Sequence, residues 1–471
     1  MNTNLYIHDS DRKALQALKA IPGFTPFLKA FMKVWDEKLF RIQSMATMMR
    51  LGPDQLPQYY EMLLPICQKL GIAVPELYLQ LDVVPNAYTI GDTKPFVVMT
   101  SGLLKSLPAE LIPTVLAHEC GHIACHHCLY TTMGRMILSD AANFLDSLGL
   151  GGLTSYPLEV AFAYWMRCSE FSADRAAALY EGSADYIVKM CMCFSGYDKD
   201  IPGTANPAAF MAQAEEYLQM KESSLWNRAL EFMLYSKADH PLNAVRAYEC
   251  NRWVSDVHFK KLQQYLDATR LLEQKVNAGA LPAGDSLERN LPALISDIKE
   301  VPMPENSDYY VGKPVEQVRV AMMMLGFSHV KTEKVTRKEK PVEERQVMNI
   351  RIGGQVGFSI CQWFPADAEV VVEYYEKETE EEIAAAHPGQ VRVRSSASDL
   401  RGGDYVRIMN QLRESGFKNF ETVEQRMSKK KFFSFDGQVA RISINGQSEF
   451  KSGEWFPKEA LIRIVYNVYP N

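Results

Sequence analysis

A short motif with two histidines and a glutamate offers the clearest chemistry in the chain. His118, Glu119 and His122 form the pattern H-E-x-x-H. Four residues are slightly more than one helical turn, so both imidazoles project from one helix face at the separation that a single zinc ion requires. Glu119 could then deprotonate a water on that ion, whose pKa zinc lowers to about 7. The pattern predicts hydrolysis by a zinc-activated water, with Glu119 as general base.

A catalytic zinc binds three protein side chains and keeps one position open, so a third ligand is needed. The segment SEFSAD at 169–174 offers Glu170, and Asp174 lies one turn further along the same helix face. Asp174 could accept a hydrogen bond from a ligand histidine and fix its tautomer. Spacing alone does not select Glu170 among the glutamates of the chain, and Asp174 could instead pair with an arginine.

The elements that must position these residues are predicted from apolar periodicity. Residues 27–49 carry apolar side chains at helical spacing, and the first 80 residues as a whole look helical. Residues 78–84 alternate like a strand, and residues 95–100 form a second strand-like run. A small sheet is therefore expected just before the motif.

The motif itself is predicted to lie on a long helix. Ser106 and Pro108 are typical of a helix start, so we expect a helix from there through His127, with a bend at Pro113. Helical texture then continues to about residue 277.

Taken together, H-E-x-x-H and SEFSAD resemble a known family. They are similar to the metallopeptidase family that includes HtpX and the CAAX prenyl endopeptidase, known as M48, over roughly residues 55–255. The resemblance implies that Glu170 is the third zinc ligand and that Asp174 supports the site. It also implies an α+β fold: a mostly helical zincin domain of the gluzincin type, with a small edge-strand sheet and one Zn²⁺ per chain.

Two further segments carry this resemblance. Residues 85–88, PNAY, resemble a family segment in which an edge strand pairs with the substrate backbone, which implies that Asn86, Ala87 and Tyr88 bind an extended peptide. From the residues alone, Asn86 could simply be a turn residue after Pro85.

The second segment is DHP at 239–241, with Arg246 after it. It resembles the family's late His-Pro element. The resemblance implies that His240 donates to the oxyanion of the tetrahedral intermediate and that Arg246 is a supporting cation at the catalytic centre. From the residues alone, His240 could instead cap a helix.

Composition excludes some classes of function. The net charge of -6 lacks the basic surplus of a nucleic-acid-binding protein. No run approaches the roughly 20 apolar residues of a membrane span, and no signal peptide is recognisable, so the chain is expected in the cytoplasm. The nine cysteines are an odd number, which argues against a disulfide framework.

A second metal site near the motif is an alternative use of some cysteines. Cys120, Cys125 and Cys128 surround the motif together with His126 and His127. Cysteines in an apolar helix are usually small core residues, and we favour that interpretation.

The C-terminal part contains an internal repeat. The landmarks LGF at 325–327 and WFP at 363–365 recur as SGF at 415–417 and WFP at 455–457, separated by 90 to 92 residues. Each copy is expected to be a helix followed by a small sheet, weakly similar to PASTA modules. The repeats could bind a protein partner, present substrates or pack on the peptidase domain.

The predicted organisation has five parts. They are a peptidase domain at 1–277, a linker at 278–305, a first α+β repeat at 306–376, a charged connector at 377–401 and a second repeat at 402–471.

The predicted activity is that of a zinc endopeptidase acting on extended or unfolded polypeptides. One alternative is a latent, metal-stabilised binding or scaffold protein that acts through its repeats. Another is a zinc hydrolase of non-peptide amides, which the edge-strand resemblance disfavours.

Overall fold

The structure is a computed structural model. It describes residues 2–150, 156–198, 200–201, 203–224, 242–277, 298–337, 340–428 and 434–469. The chain forms two compact units, one of Met1–Thr332 with Asn349–Val372 and one of Glu333–Met348 with Glu373–Asn471. Within the described ranges, no helix is both long and apolar enough to cross a membrane.

The described helices are numbered in chain order. They are α1 Asp9–Lys19, α2 Phe24–Val34, α3 Glu37–Thr47, α4 Pro57–Leu70, α5 Ser101–Ser106, α6 Ile112–Ala124, α7 Cys128–Ser147, α8 Tyr156–Glu181, α9 Asp185–Phe194, α10 Pro207–Glu222, α11 Asn243–Val254, α12 Val257–Asn277, α13 Val315–Leu325, α14 Glu380–Ala385, α15 Ala397–Leu400 and α16 Tyr405–Glu414. Helix α12 is described as far as Asn277, the last described residue before 298.

The strands are short. They are β1 Met49–Leu51, β2 Glu76–Gln80, β3 Ala87–Ile90, β4 Phe96–Thr100, β5 Glu300–Pro302, β6 His329–Val335, β7 Val347–Ile352, β8 Gln355–Val356, β9 Trp363–Pro365, β10 Glu369–Tyr375, β11 Gln390–Arg392, β12 Asn419–Arg426, β13 Val439–Ile444, β14 Trp455–Pro457 and β15 Leu461–Val468. Helices with several small sheets confirm the predicted α+β class.

The first sheet lies next to the motif helix. Its strand order is β1-β2-β4-β3, so β3 is an edge strand. Strand β4 is buried along its whole length, whereas β3 pairs only with β4, in antiparallel register. The sequence predicts this sheet, but the strand-like run at 78–84 ends as a strand already at Gln80 and continues as a loop.

The motif helix starts later than predicted. Ser106 ends the short helix α5, a single 3-10 turn follows, and α6 begins only at Ile112. Pro113 therefore lies in the first helical turn, where its missing N–H leaves no hydrogen bond unmade. The prediction of a bend at Pro113 is wrong, because a proline in the first turn does not interrupt the helix.

The hydrophobic core behind the site joins the first two helices to α7 and α8. Leu18, Phe27, Phe31 and Phe162 are at most 1% exposed, and Trp165 is fully buried. This core ties the N-terminal helices to α8, which carries Glu170 and Asp174.

The two C-terminal segments share their order of elements. Strands β6, β10 and β7 are neighbours in that order in the first segment, and β12, β15 and β13 in the second. A helix precedes each set, α13 in the first segment and α16 in the second.

Two short strands, β5 and β11, fall outside the predicted bounds of the two repeats. Strand β5 pairs with β9, and β11 pairs with β14. Residues 300–302 and 390–392 were expected in a linker and a connector, where alternation over three residues is too short to indicate a strand. Backbone pairing assigns each of them to the repeat that follows. The other predicted domain boundaries stay predictions.

Candidate active site

Close packing of two helices forms the site. Gly121 of α6 faces α8, where an added Cβ would lie 2.7 Å from the Cβ of Ala176 and 3.1 Å from the backbone of Ala173. Only glycine permits this approach, because real Cβ atoms do not come so close to their neighbours. The contact brings Glu170 on α8 to the two histidines of α6.

The three predicted ligands converge on one point. The Nε2 atoms of His118 and His122 lie 3.2 Å apart. The Glu170 carboxylate lies 3.2 Å from His118 Nε2 and 3.4 Å from His122 Nε2. Ligands at about 2.0–2.1 Å from a tetrahedral zinc are separated by roughly 3.3 Å, so this triangle has the right size for zinc. Among the described residues it is also the one His/Cys/Asp/Glu group close enough to hold a metal ion.

Asp174 and Arg246 support this triangle from behind. Asp174 is 1% exposed and its Oδ1 lies 2.9 Å from Nδ1 of His118. Arg246, on α11, donates from Nε and Nη2 to the two oxygens of Asp174 at 2.8 and 2.6 Å. Its Nη1 lies 3.2 Å from Glu170. Such a bidentate pair fixes Asp174, which in turn orients His118.

The charges of the network shift the pKa of its members. Burial raises the pKa of Glu170, but Arg246 and the two histidines outweigh it and hold that pKa well below the usual range. Burial likewise raises the pKa of Asp174, and Arg246 with His118 lowers it overall. Both carboxylates are therefore ionised, as a metal site requires.

The pKa values of the two ligand histidines shift in opposite directions. Burial and Arg246 lower the pKa of His118, but hydrogen bonds to Asp174 and Glu170 raise it to about 9. Burial lowers the pKa of His122. A metal ion binding at neutral pH would therefore displace a proton from His118.

A cleft of about 320 Å³ opens over the triangle. Glu119 lines it beside the histidines, and Asn86, Ala87 and Thr89 line it on the side of β3. The cleft therefore places a carboxylate, the candidate metal site and the edge strand around one space.

The remaining predicted site residues are placed as follows. Tyr88 lies on β3, but its side chain packs against Tyr78 and Phe96 and donates to Gln80 at 2.7 Å, so it does not line the cleft. His240 falls outside the described residues.

Three residues near the site were not identified from the sequence. Asp11 and His127 form a buried pair behind His122, and Arg135 lines the cleft. His127 lies five residues after His122, which is a usable signal, but the sequence alone makes it a candidate only for a second metal site. Nothing in the sequence connects Asp11 with the motif, because only the docking of α1 brings them together.

The cysteines near the motif are core residues. Cys120, Cys125 and Cys128 are each at most 8% exposed. Burial raises the pKa of the Cys128 thiol to about 12, as is usual for a thiol in apolar surroundings. These observations support the interpretation favoured from the sequence.

Comparisons with known proteins point to one family. Residues 58–254 match the family model "Peptidase family M48". The plastoglobule-localized metallopeptidase 48 of Arabidopsis thaliana is 30% identical over 54% of this chain and 74% of the relative. The protease HtpX of Idiomarina loihiensis is 25% identical over 37% of this chain and 71% of the relative.

A solved structure also matches the chain. It is the three-PASTA-domain region of a Ser/Thr kinase from Staphylococcus aureus, 17% identical over 36% of this chain and 66% of that chain, with a TM-score of 0.15. A TM-score of this size carries no argument about fold or function.

Proposed function

Because the chain belongs to peptidase family M48, it is a metallopeptidase, and we propose that it is a zinc-dependent endopeptidase acting on extended or unfolded polypeptides. The observation that carries the proposal is the convergence of His118, His122 and Glu170 at 3.2–3.4 Å beside a cleft. Glu119 lies in the same cleft and is free to act, because it belongs to none of these ligand contacts.

The residues of the chain have distinct roles in this proposal. When bound, zinc lowers the pKa of a coordinated water and polarises the substrate carbonyl. Glu119 takes a proton from the attacking water and returns it to the leaving amine. Arg246 holds Asp174 and Glu170 in place. His240 remains the proposed donor to the oxyanion.

The edge strand is the proposed site for the peptide backbone. The backbone N–H of Thr100 donates to the carbonyl of Asn86 at 3.0 Å. Because hydrogen-bonded and non-hydrogen-bonded pairs alternate along an antiparallel ladder, the N–H and C=O groups of Ala87 and Thr89 point away from β4. They face the open edge, where a substrate strand can pair with them.

Replacing Ala87 by proline tests this pairing. The Ala87→Pro variant loses one outward N–H but keeps the pairing with β4, since edge strands tolerate proline. One hydrogen bond is worth about 0.5–1.5 kcal/mol, so we expect KM for an unstructured peptide to rise about 3- to 10-fold. The control is Ala87→Ser, which retains the N–H. An unchanged KM in a folded Ala87→Pro variant would remove β3 from the proposal.

Arg135 is proposed to set a preference for acidic substrates. This exposed residue on α7 lines the cleft, and its guanidinium lies 5.4 Å from the ring centroid of Tyr88 on the edge strand. A partly exposed ion pair contributes up to about 1 kcal/mol, so we expect kcat/KM to be about 3- to 5-fold higher for peptides with Glu rather than Lys at the position facing Arg135.

The charge-reversal variant Arg135→Glu is the matching test. Peptide series with Glu or Lys at each position around the cut would be compared in both proteins. We expect the preference to reverse at one position only. The same preference in both proteins would show that Arg135 does not select substrates.

Other parts of the proposal concern partners and location. We propose that the C-terminal repeats bind a protein partner or present substrates, and that the protein acts in the cytoplasm. The latent binding protein remains the alternative, and it predicts bound zinc without cleavage of casein or any peptide.

A further inference from the structure

A buried carboxylate of the first helix lies behind the site. Asp11, on α1, is 2% exposed and precedes the segment that matches the family model. Trp165 Nε1 donates to its Oδ1 at 2.9 Å, and Ser172 Oγ donates to its Oδ2 at 2.6 Å. His127 Nε2 lies 3.0 Å from the same Oδ2. A buried carboxylate requires such donors, and here one of them leads towards the metal site.

That donor, His127, also contacts a proposed metal ligand. Its Nδ1 lies 3.0 Å from Nδ1 of His122, and the ring is 2% exposed. The plane of its ring stands nearly perpendicular to that of Trp165, with the centroids 5.7 Å apart. Packing on Trp165 thus limits how far the His127 ring can turn.

The proton positions in this chain of contacts follow from the ligand geometry. His122 directs Nε2 towards His118 and Glu170, so a metal there leaves the proton of His122 on Nδ1. His127 Nδ1 must then accept a hydrogen bond from that N–H, so the proton of His127 itself lies on Nε2. Asp11 accepts from that Nε2–H. If His127 carried its proton on Nδ1 instead, two N–H groups would face each other at 3.0 Å.

We propose that Asp11 and His127 are positioning residues that hold His122 in the orientation and tautomer needed to bind the metal, which makes the N-terminal helix part of the metal centre. The proposal rests on the proposed function, because it takes His122 as a ligand. Each of the two ligand histidines is then connected through its Nδ1 to a buried carboxylate. His118 reaches the carboxylate of Asp174 directly at 2.9 Å, and His122 reaches that of Asp11 through one imidazole.

The competing explanation is that Asp11 and His127 only fasten α1 to the core. Two substitutions at one position separate the explanations. His127→Gln keeps both an acceptor and a donor on the side chain, whereas His127→Leu fills similar space with neither. If His127 positions His122, the glutamine variant should keep its affinity for zinc and the leucine variant should lose it. If His127 only packs against the core, the zinc affinities of the two variants should not differ in this order.

The readout is the zinc dissociation constant of the full chain, measured by competition with a chelator, together with the absorption spectrum of the Co²⁺ form. Loss of a hydrogen-bonding partner of a ligand typically costs 10- to 100-fold in metal affinity. We expect that loss for His127→Leu, about 10-fold for Asp11→Asn, and at most about 3-fold for His127→Gln. The cobalt spectrum should shift in the first two variants only.

Leu18→Ala is the control for helix docking. Leu18 lies on α1, is fully buried in the core and has an apolar side chain that cannot hydrogen-bond to Asp11 or His127. The Leu18→Ala substitution should lower the Tm without changing the affinity for zinc. The proposal is overturned if His127→Leu and Asp11→Asn bind zinc as tightly as wild type, or if Leu18→Ala weakens zinc binding as much as they do. A wild-type chain that binds no zinc would instead overturn the proposed function itself.

Discussion

The Glu119→Gln variant is expected to bind one zinc ion per chain and to lose cleavage by about 10²- to 10⁴-fold in kcat, the usual contribution of a general base. Glutamine has nearly the same shape but cannot accept the proton of the attacking water. Zinc content should not change, because the ligand group consists of His118, His122 and Glu170. The measurement is zinc content and casein cleavage on the same preparation.

Glu110→Gln is the matched control for this prediction. Glu110 lies just before α6, and its side chain is 61% exposed and pairs with Lys189 at 3.7 Å. The same chemical change there should leave cleavage unchanged. Full activity of Glu119→Gln would assign the base to another residue, whereas activity in neither wild type nor variant would favour the latent binding protein.

The second large effect is expected from Arg246→Met. Arg246 pairs with the buried Asp174 and the partly buried Glu170, so its removal takes the guanidinium away from both carboxylates and leaves them only their histidine contacts. Breaking a buried pair in this way costs about 3–5 kcal/mol of stability. Native-state hydrogen exchange of the α8 amides in the metal-free protein measures this loss within the unit that contains the site.

The effect of Arg246→Met should depend on pH. Arg246 helps to lower the pKa of Asp174 in the folded protein, so its stabilisation is complete above the ordinary carboxyl pKa of about 4 and disappears as the pH falls through the lowered value. The control is Arg252→Met on the same helix, where the side chain is 65% exposed and pairs with Glu249. A change within about 0.5 kcal/mol is expected there. Equal effects of the two substitutions would contradict the structural role of Arg246.

Local geometry explains which parts of the site were predictable. His118 and His122 follow from helical spacing alone, because both lie on one element. Glu170 required the family resemblance, since it lies on a second helix and no local rule links it to α6. The approach of α8 to α6 depends on Gly121, and its role becomes visible only when Ala173 and Ala176 are seen to face it.

The unpredicted parts depend on tertiary contacts. Asp11 is an ordinary residue in the first turn of an amphipathic helix, and only the docking of α1 against Trp165 and Ser172 gives it a buried role. Strands β5 and β11 are too short for periodicity to reveal, and pairing with distant strands creates them. The late start of α6 reflects two proline signals, at Pro108 and Pro113, of which the second marks the helix.

The most direct test of the central claim is a zinc titration of the metal-free protein with cleavage of an unfolded casein substrate as the readout. The proposal predicts no cleavage without metal, a linear rise with added zinc and saturation at one zinc per chain. A Glu170→Ala variant should show no rise over the same range. Cleavage that persists after complete metal removal, or one tightly bound zinc with no cleavage of any peptide, would contradict the assignment of a zinc endopeptidase.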